Sequence, residues 1–200
     1  MFEKLKKYRE TVLCGNFDGN ENNSTKYRYD FISEGLSDYM SNEKIAEIKR
    51  MLIKYPDFIH SPASAKYHGA YDGGLFDHSI VVYECALRLS DEFNVDYVDP
   101  IACIFHDICK VGSYKYDNVS HKYTYNENLG LPHGSESLRR ILKAGIPISS
   151  EAWEFAIAYH MGAFNANSEE TINFGKMCEK YREVLLLHTA DMMASKMYGL

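Results

Sequence analysis

Four of the eight histidines, His78, His106, His133 and His160, recur about 27 residues apart. That interval is one helix plus one connection, so each imidazole comes from a different helix. The core of a helical bundle can bring such positions together. Two aspartates join them. Asp107 follows His106 directly in the apolar run Ile104-Phe-His-Asp-Ile108, and Asp191 interrupts Val184-Leu-Leu-Leu-His-Thr-Ala-Asp-Met-Met-Ala194. A carboxylate on such a helix needs a partner, because burying it unpaired costs several kcal/mol. A divalent cation would be that partner, and a mixed imidazole and carboxylate set suits Mn, Fe, Co, Ni or Zn better than Ca. Lys110 stands at i+4 from His106 and i+3 from Asp107, spacing that lets all three reach one side of a helix. Its ammonium group could touch a substrate oxygen. Taken singly, a histidine on an apolar helix is more often a satisfied core residue than a ligand; four of them with two awkward aspartates argue otherwise.

The elements that must carry these residues read as helices. Ile45, Ile48, Met51, Leu52 and Tyr55 keep helical spacing after a Ser41 cap and stop at Pro56. A loop runs to Gly73-Gly74. Leu75 to Phe93 forms a second long helix, and Asp99-Pro100 opens a third that runs toward Lys110. Alternation in Tyr114-Lys-Tyr116 and Tyr123-Thr-Tyr125, around Asp117-Asn118, predicts a β-hairpin. Helices then follow at about 134–144, from Ser149 or Ser150 to Gly162, and from about Glu169 onward with a break near Gly175. Residues 1–40 are mixed, and Gly15 to Thr25 reads as a loop. Asp18-x-Asn20-x-Asn22 imitates the start of a calcium loop but lacks its glycine and its final acidic ligand. The organisation expected is an extension, 1–40, packed on a bundle, 41–200.

Composition narrows the classes. Two hundred residues, 46% hydrophobic and 25% charged, make a globular chain. No run of 18 apolar residues is present, and the start has no long apolar stretch of a signal peptide, so no membrane partner and a cytoplasmic location are expected. A net charge of −6 argues against a grip on long duplex nucleic acid. The five cysteines form no C-x-x-C pair and read as free thiols; Cys103 and Cys109, beside the His-Asp pair, read as small core residues rather than a redox switch.

In order along the chain, several motifs resemble those of the HD-domain metal-dependent phosphohydrolases, whose pattern is H…HD…D. Tyr67-His-Gly-Ala-Tyr-Asp-Gly-Gly-Leu-Phe-Asp-His78 resembles the family's H-H-A-Y-x-G-G-L-L-x-H, and His106-Asp-Ile-Cys-Lys110 its H-D-I-G-K. Leu131-Pro-His133-Gly, Ala158-Tyr-His160 and His188-Thr-Ala-Asp191 resemble the G-H, S-H-H and H-x-A-D regions. Residues 60–197 are covered, and the nearest likeness is to the HD domain attached to an OB-fold in bacterial 3′→5′ exoribonucleases. The chain departs from the pattern at Gly69, Cys109 and Met161.

The resemblance implies an all-α HD-type bundle with a small inserted hairpin. It implies one or two divalent ions (Mn, Fe, Co, Ni, Zn or Mg). His78, His106, Asp107 and Asp191 would hold the first, and Asp107, His133 and His160 a second. With one ion, His133 and His160 would contact phosphate instead. Lys110 and His68 would bind the phosphate, and Asp107, Lys110 and His68 form the catalytic group. The activity implied is hydrolysis of a phosphomonoester or phosphodiester, of a nucleotide or short oligonucleotide, by metal-activated water. The rival is a silent sensor that binds metal and nucleotide without turnover. His60, His121 and His188 read as structural or solvent-facing. The hairpin tyrosines read as the exposed face of a flap in preference to a stacking surface for a base.

Overall fold

The computed structural model describes residues 2–15, 21–125, 131–163 and 168–200. It is an all-α bundle with one two-stranded hairpin, as the sequence implies. None of the described helices is long and apolar enough to cross a membrane.

Helix α4 (Gly74–Phe93) is the axis of the bundle. Every residue from Gly74 to Ala86 is buried, so the helix is enclosed on all sides and its polar residues in this stretch, Asp77, His78, Ser79 and Glu84, are buried as well. It ends at Asn94, whose left-handed backbone (φ 52°) turns its N–H back to Ser90 and Asp91 carbonyls. Around it pack α9 (Arg182–Met197), α5 (Pro100–Phe105) and α1 (Glu3–Cys14). Helix α7 (Glu151–Tyr159) lies between α9 and α6 (His133–Lys143). Local chemistry sets several starts. Ser41 Oγ accepts from the Lys44 amide at the head of α3 (Asn42–Lys54), and Ser150 Oγ from the Trp153 amide at the head of α7. Asp99 caps α5 with one oxygen, at 2.8 Å from Ile101 N and 3.1 Å from Ala102 N. Its other oxygen takes the Ser149 amide at 2.7 Å, which ties α5 to the start of α7.

Three expectations change. The third helix does not run to Lys110: α5 stops at Phe105, and a turn leads into a 3₁₀ segment, Ile108–Lys110. There the His106 ring donates to the Cys103 carbonyl at 2.8 Å, and Asp107 leaves the helical region (φ −110°, ψ 19°). The last helix breaks at Tyr181 rather than Gly175. Tyr181 is extended (φ −132°, ψ 113°), its ring stacked on Phe155 at 5.3 Å and its hydroxyl donating to Glu151 at 2.7 Å. Part of the Gly15 to Thr25 loop is helix. Gly15 caps α1, residues 16–20 lie outside the described chain, and α2 (Glu21–Asp30) begins at once after them. The calcium-like stretch therefore falls largely outside the described residues. Within the described part of 1–40, α1 buries Leu5, Tyr8 and Val12, and α2 continues through one π turn, Phe31–Gly35.

The hairpin appears where alternation put it. Strands β1 (Tyr114–Asp117) and β2 (Lys122–Tyr125) pair antiparallel, Tyr114 opposite Tyr125 and Tyr116 opposite Tyr123.

Candidate metal centre

His78 projects from the second turn of α4, His106 and Asp107 from the turn after α5, His133 from the first residue of α6, His160 from the end of α7 and Asp191 from mid α9. Their side chains converge. Three overlapping groups have ligand atoms within 4.8 Å of one another: His78, His106 and Asp107; His106, His160 and Asp191; Asp107, His133 and His160. Sequence-distant helices bring these side chains close together, as the histidine spacing allows.

Asp107 is the hinge of the cluster and almost wholly buried. Its Oδ2 faces His106 Nε2 at 3.4 Å, His78 Nε2 at 4.0 Å and Lys110 Nζ at 2.5 Å. Its Oδ1 faces His133 Nε2 at 2.5 Å and His160 Nε2 at 3.2 Å. One carboxylate thus offers an oxygen to each half of the cluster. Asp191 Oδ1 closes the first half, 3.1 Å from His78 Nε2 and 3.9 Å from His106 Nε2.

The tautomers decide what the cluster can hold. His78 Nδ1 donates to the Leu200 carbonyl at 2.8 Å, and His106 Nδ1 to the Cys103 carbonyl at 2.8 Å. Carbonyl oxygens only accept, so in each neutral ring the proton sits on Nδ1 and the Nε2 lone pair points inward. Both Nε2 atoms are fully buried without a hydrogen-bond partner. His160 has an acceptor at each nitrogen, Ile157 O at 2.7 Å and Asp107 Oδ1 at 3.2 Å, and a neutral ring can donate to only one. Lone pairs of imidazole and carboxylate facing one another repel unless a cation lies between them. Main-chain carbonyls fixing Nδ1–H are the outer support that histidine ligands of metals ordinarily have. The donor set therefore fits a divalent ion on this structure's own terms.

Comparison with known proteins bears on the chemistry. No family model and no solved structure matches the chain. A curated dihydroneopterin 2′,3′-cyclic phosphate phosphodiesterase from Methanocaldococcus jannaschii is 26% identical over 183 residues, covering 82% of this chain and 67% of that protein.

Charge is balanced locally. Burial works to raise the Asp107 pKa, but cationic neighbours, Lys110 first and then His133, hold it well below the usual carboxylate range. Burial works to lower those of Lys110 and His133; Asp107 outweighs it, raising Lys110 and bringing His133 to about 9. His68, partly buried with its ring centroid 5.3 Å from that of His78, is pushed down to about 4 by burial first and also by Lys110, so it is neutral at pH 7.

Two supports were not apparent in the sequence. Asp77, one residue before His78, is completely buried and accepts from Arg28 Nε (2.9 Å), Arg28 Nη2 (2.8 Å), Tyr8 (2.6 Å) and Tyr71 (3.1 Å). The Leu200 carbonyl is the other. His188 donates to the His160 carbonyl at 2.7 Å, a structural role as expected; His60 and His121 are exposed. Cys103 and Cys109 are fully buried, and burial pushes the Cys103 thiol up, which fits packing and not redox chemistry.

Proposed function

We propose that the protein hydrolyses a phosphoester with a divalent metal held by His78, His106, Asp107 and Asp191, and that a phosphodiester of a small nucleotide-like molecule is its substrate. The observation that carries this is the pair of buried, unpartnered Nε2 atoms of His78 and His106, their rings locked by main-chain carbonyls and aimed at two carboxylates. The cyclic phosphate named for the M. jannaschii relative supports the diester. The order of the sequence motifs supports an HD-type centre.

When bound, a divalent ion lowers the pKa of a water from 15.7 toward about 7 and polarises the phosphoryl oxygen. Asp107, with one oxygen toward each half, is placed to serve either one ion or two. His133 and His160 complete a second ion site or, with one ion, contact the phosphate. Lys110 neutralises charge on the non-bridging oxygens. It lies against Asp107 here and would be free to turn to the phosphate if that carboxylate held a metal. Neutral His68 donates a hydrogen bond to the phosphate or the leaving oxygen. In the net step water oxygen bonds to phosphorus, the bond from phosphorus to the alcohol oxygen breaks, and that oxygen gains a proton.

The test is metal analysis of the purified and reconstituted protein with turnover on a panel of phosphomonoesters and diesters. Bound divalent metal and diester hydrolysis are expected, both lost in Asp107→Asn. In His133→Ala and His160→Ala, a fall from two ions to one marks a binuclear centre; one ion throughout, with weaker phosphate binding, marks phosphate contacts. A protein that retains no metal overturns the proposal. Metal and nucleotide binding without turnover of any ester points to the sensor.

A further inference from the structure

Residues Tyr114, Tyr116, Tyr123 and Tyr125 all lie on one face of the hairpin. Alternate residues of a strand share a face, and directly opposed residues of an antiparallel pair share it too. With Tyr114 opposite Tyr125 and Tyr116 opposite Tyr123, the four rings form one aromatic surface, while Lys115, Asp117, Lys122 and Thr124 take the other. The rings meet edge to face, at 5.7 Å for the first pair and 5.0 Å for the second. Tyr116 and Tyr125 nonetheless remain 43% and 57% exposed.

This surface continues directly from the metal centre. β1 begins four residues after Lys110, and the connection is stapled: Ser113 N donates to the Lys110 carbonyl at 3.0 Å, and Ser113 Oγ to the Cys109 carbonyl at 2.9 Å. Tyr114, at that stapled end, is half-buried. The tyrosine face therefore starts beside the turn that carries the phosphate-side lysine.

We propose that this face is the subsite for a flat aromatic heterocycle on the substrate, so that the enzyme takes phosphodiesters bearing a nucleobase or a similar fused ring and places their phosphorus at Lys110. This rests on the phosphodiesterase reading and deepens it. Stacking suits the task, because it grips any ring system through its π-face. The dihydropterin in the name of the M. jannaschii relative's substrate is a comparable fused ring, with a conjugated pyrimidine half.

The experiment compares a nucleoside 2′,3′-cyclic phosphate with glycerol 1,2-cyclic phosphate, which carries no aromatic ring, using metal-loaded wild type, Tyr116→Leu, Tyr125→Leu and the corresponding phenylalanine variants. Both tyrosines are exposed, so the leucine variants keep the fold. We expect KM for the nucleoside ester to rise roughly tenfold per ring lost, with kcat little changed. Phenylalanine should restore it, and glycerol cyclic phosphate should not respond. Equal effects on both esters, or none on either, overturn the inference. Should wild type hydrolyse neither ester, the phosphodiesterase reading fails by itself. Calorimetry of the same proteins with a nucleoside monophosphate and with methyl phosphate then decides the subsite: ring-selective binding that depends on Tyr116 and Tyr125 upholds it, and equal binding removes it.

Discussion

Asp107 and Asp77 are both carboxylates in apolar runs, yet they meet opposite fates. Asp107, though it pairs with Lys110 and His133, also faces the inward lone pairs of His106 and His78; Asp77 is saturated by Arg28, Tyr8 and Tyr71. Sequence reasoning recognised Asp107 and Asp191 because their apolar surroundings demanded a counter-charge. It passed over Asp77, whose counter-charge, Arg28, lies 49 residues earlier on a polar helix. The signal of a stranded carboxylate is thus real but does not say whether metal or guanidinium answers it. Lys110 offers a sharper distinction. If its ammonium serves the phosphate, Lys110→Ala lowers kcat by about 10²–10³, the usual loss for one preorganised donor to developing negative charge. Metal content, measured by elemental analysis, should stay at the wild-type level. A loss of metal in this variant would make Lys110 a support for Asp107 instead.

At the scale of elements, most helices were legible because apolar stripes and caps are local. Tyr181 and the polar α2 were not, since tertiary contacts alone set the break at Tyr181 and hold α2 through buried Arg28. The glycine after His133 also gains its reason only from packing. A Cβ on Gly134 would lie 2.3 Å from the Ile157 carbonyl oxygen and 2.4 Å from that of Ala158, so only glycine lets α6 sit directly on the end of α7 that bears His160. Helix α6 is clamped as well to the Lys110 turn: Arg140 donates to the Ile108 and Val111 carbonyls at 3.1 and 2.9 Å, and Glu136 binds both Arg139 and Arg140. Arg139 first, against the opposing effect of burial, and then Arg140 lower the Glu136 pKa from 4.5 to about 2. A depressed carboxylate pKa stabilises the fold above its unfolded value and ceases to do so as pH falls through the folded one. The gap in melting temperature between wild type and Glu136→Gln should therefore be full above about pH 4.5 and close toward pH 2. The Leu200 carbonyl makes another prediction for its element, the tail after α9. Ending the chain at Gly199 should weaken metal binding roughly 10–100-fold, the cost of losing an outer support. Leu200→Ala, which keeps the carbonyl, should retain near-normal affinity in the same metal titration.

For the molecule as a whole, a metal that binds only the folded state adds to its stability. At a free ion concentration 100 times Kd the gain is about 2.7 kcal/mol. For a chain of this size each kcal/mol moves the melting temperature about 2–4 °C, so chelation should lower it by roughly 5–10 °C. Calorimetry with and without chelator checks this, and an unchanged midpoint would leave the cluster without its ion. The orientation of the rings has a less obvious consequence. His78, His106 and His160 are all steered by main-chain oxygens. A main-chain oxygen is supplied by every amino acid, so point substitution cannot delete it. A saturation mutagenesis screen would flag the chelating residues and stay blind to what aims them; only shortening the backbone or replacing amides by weaker-accepting isosteres would bring those hidden contributors into view.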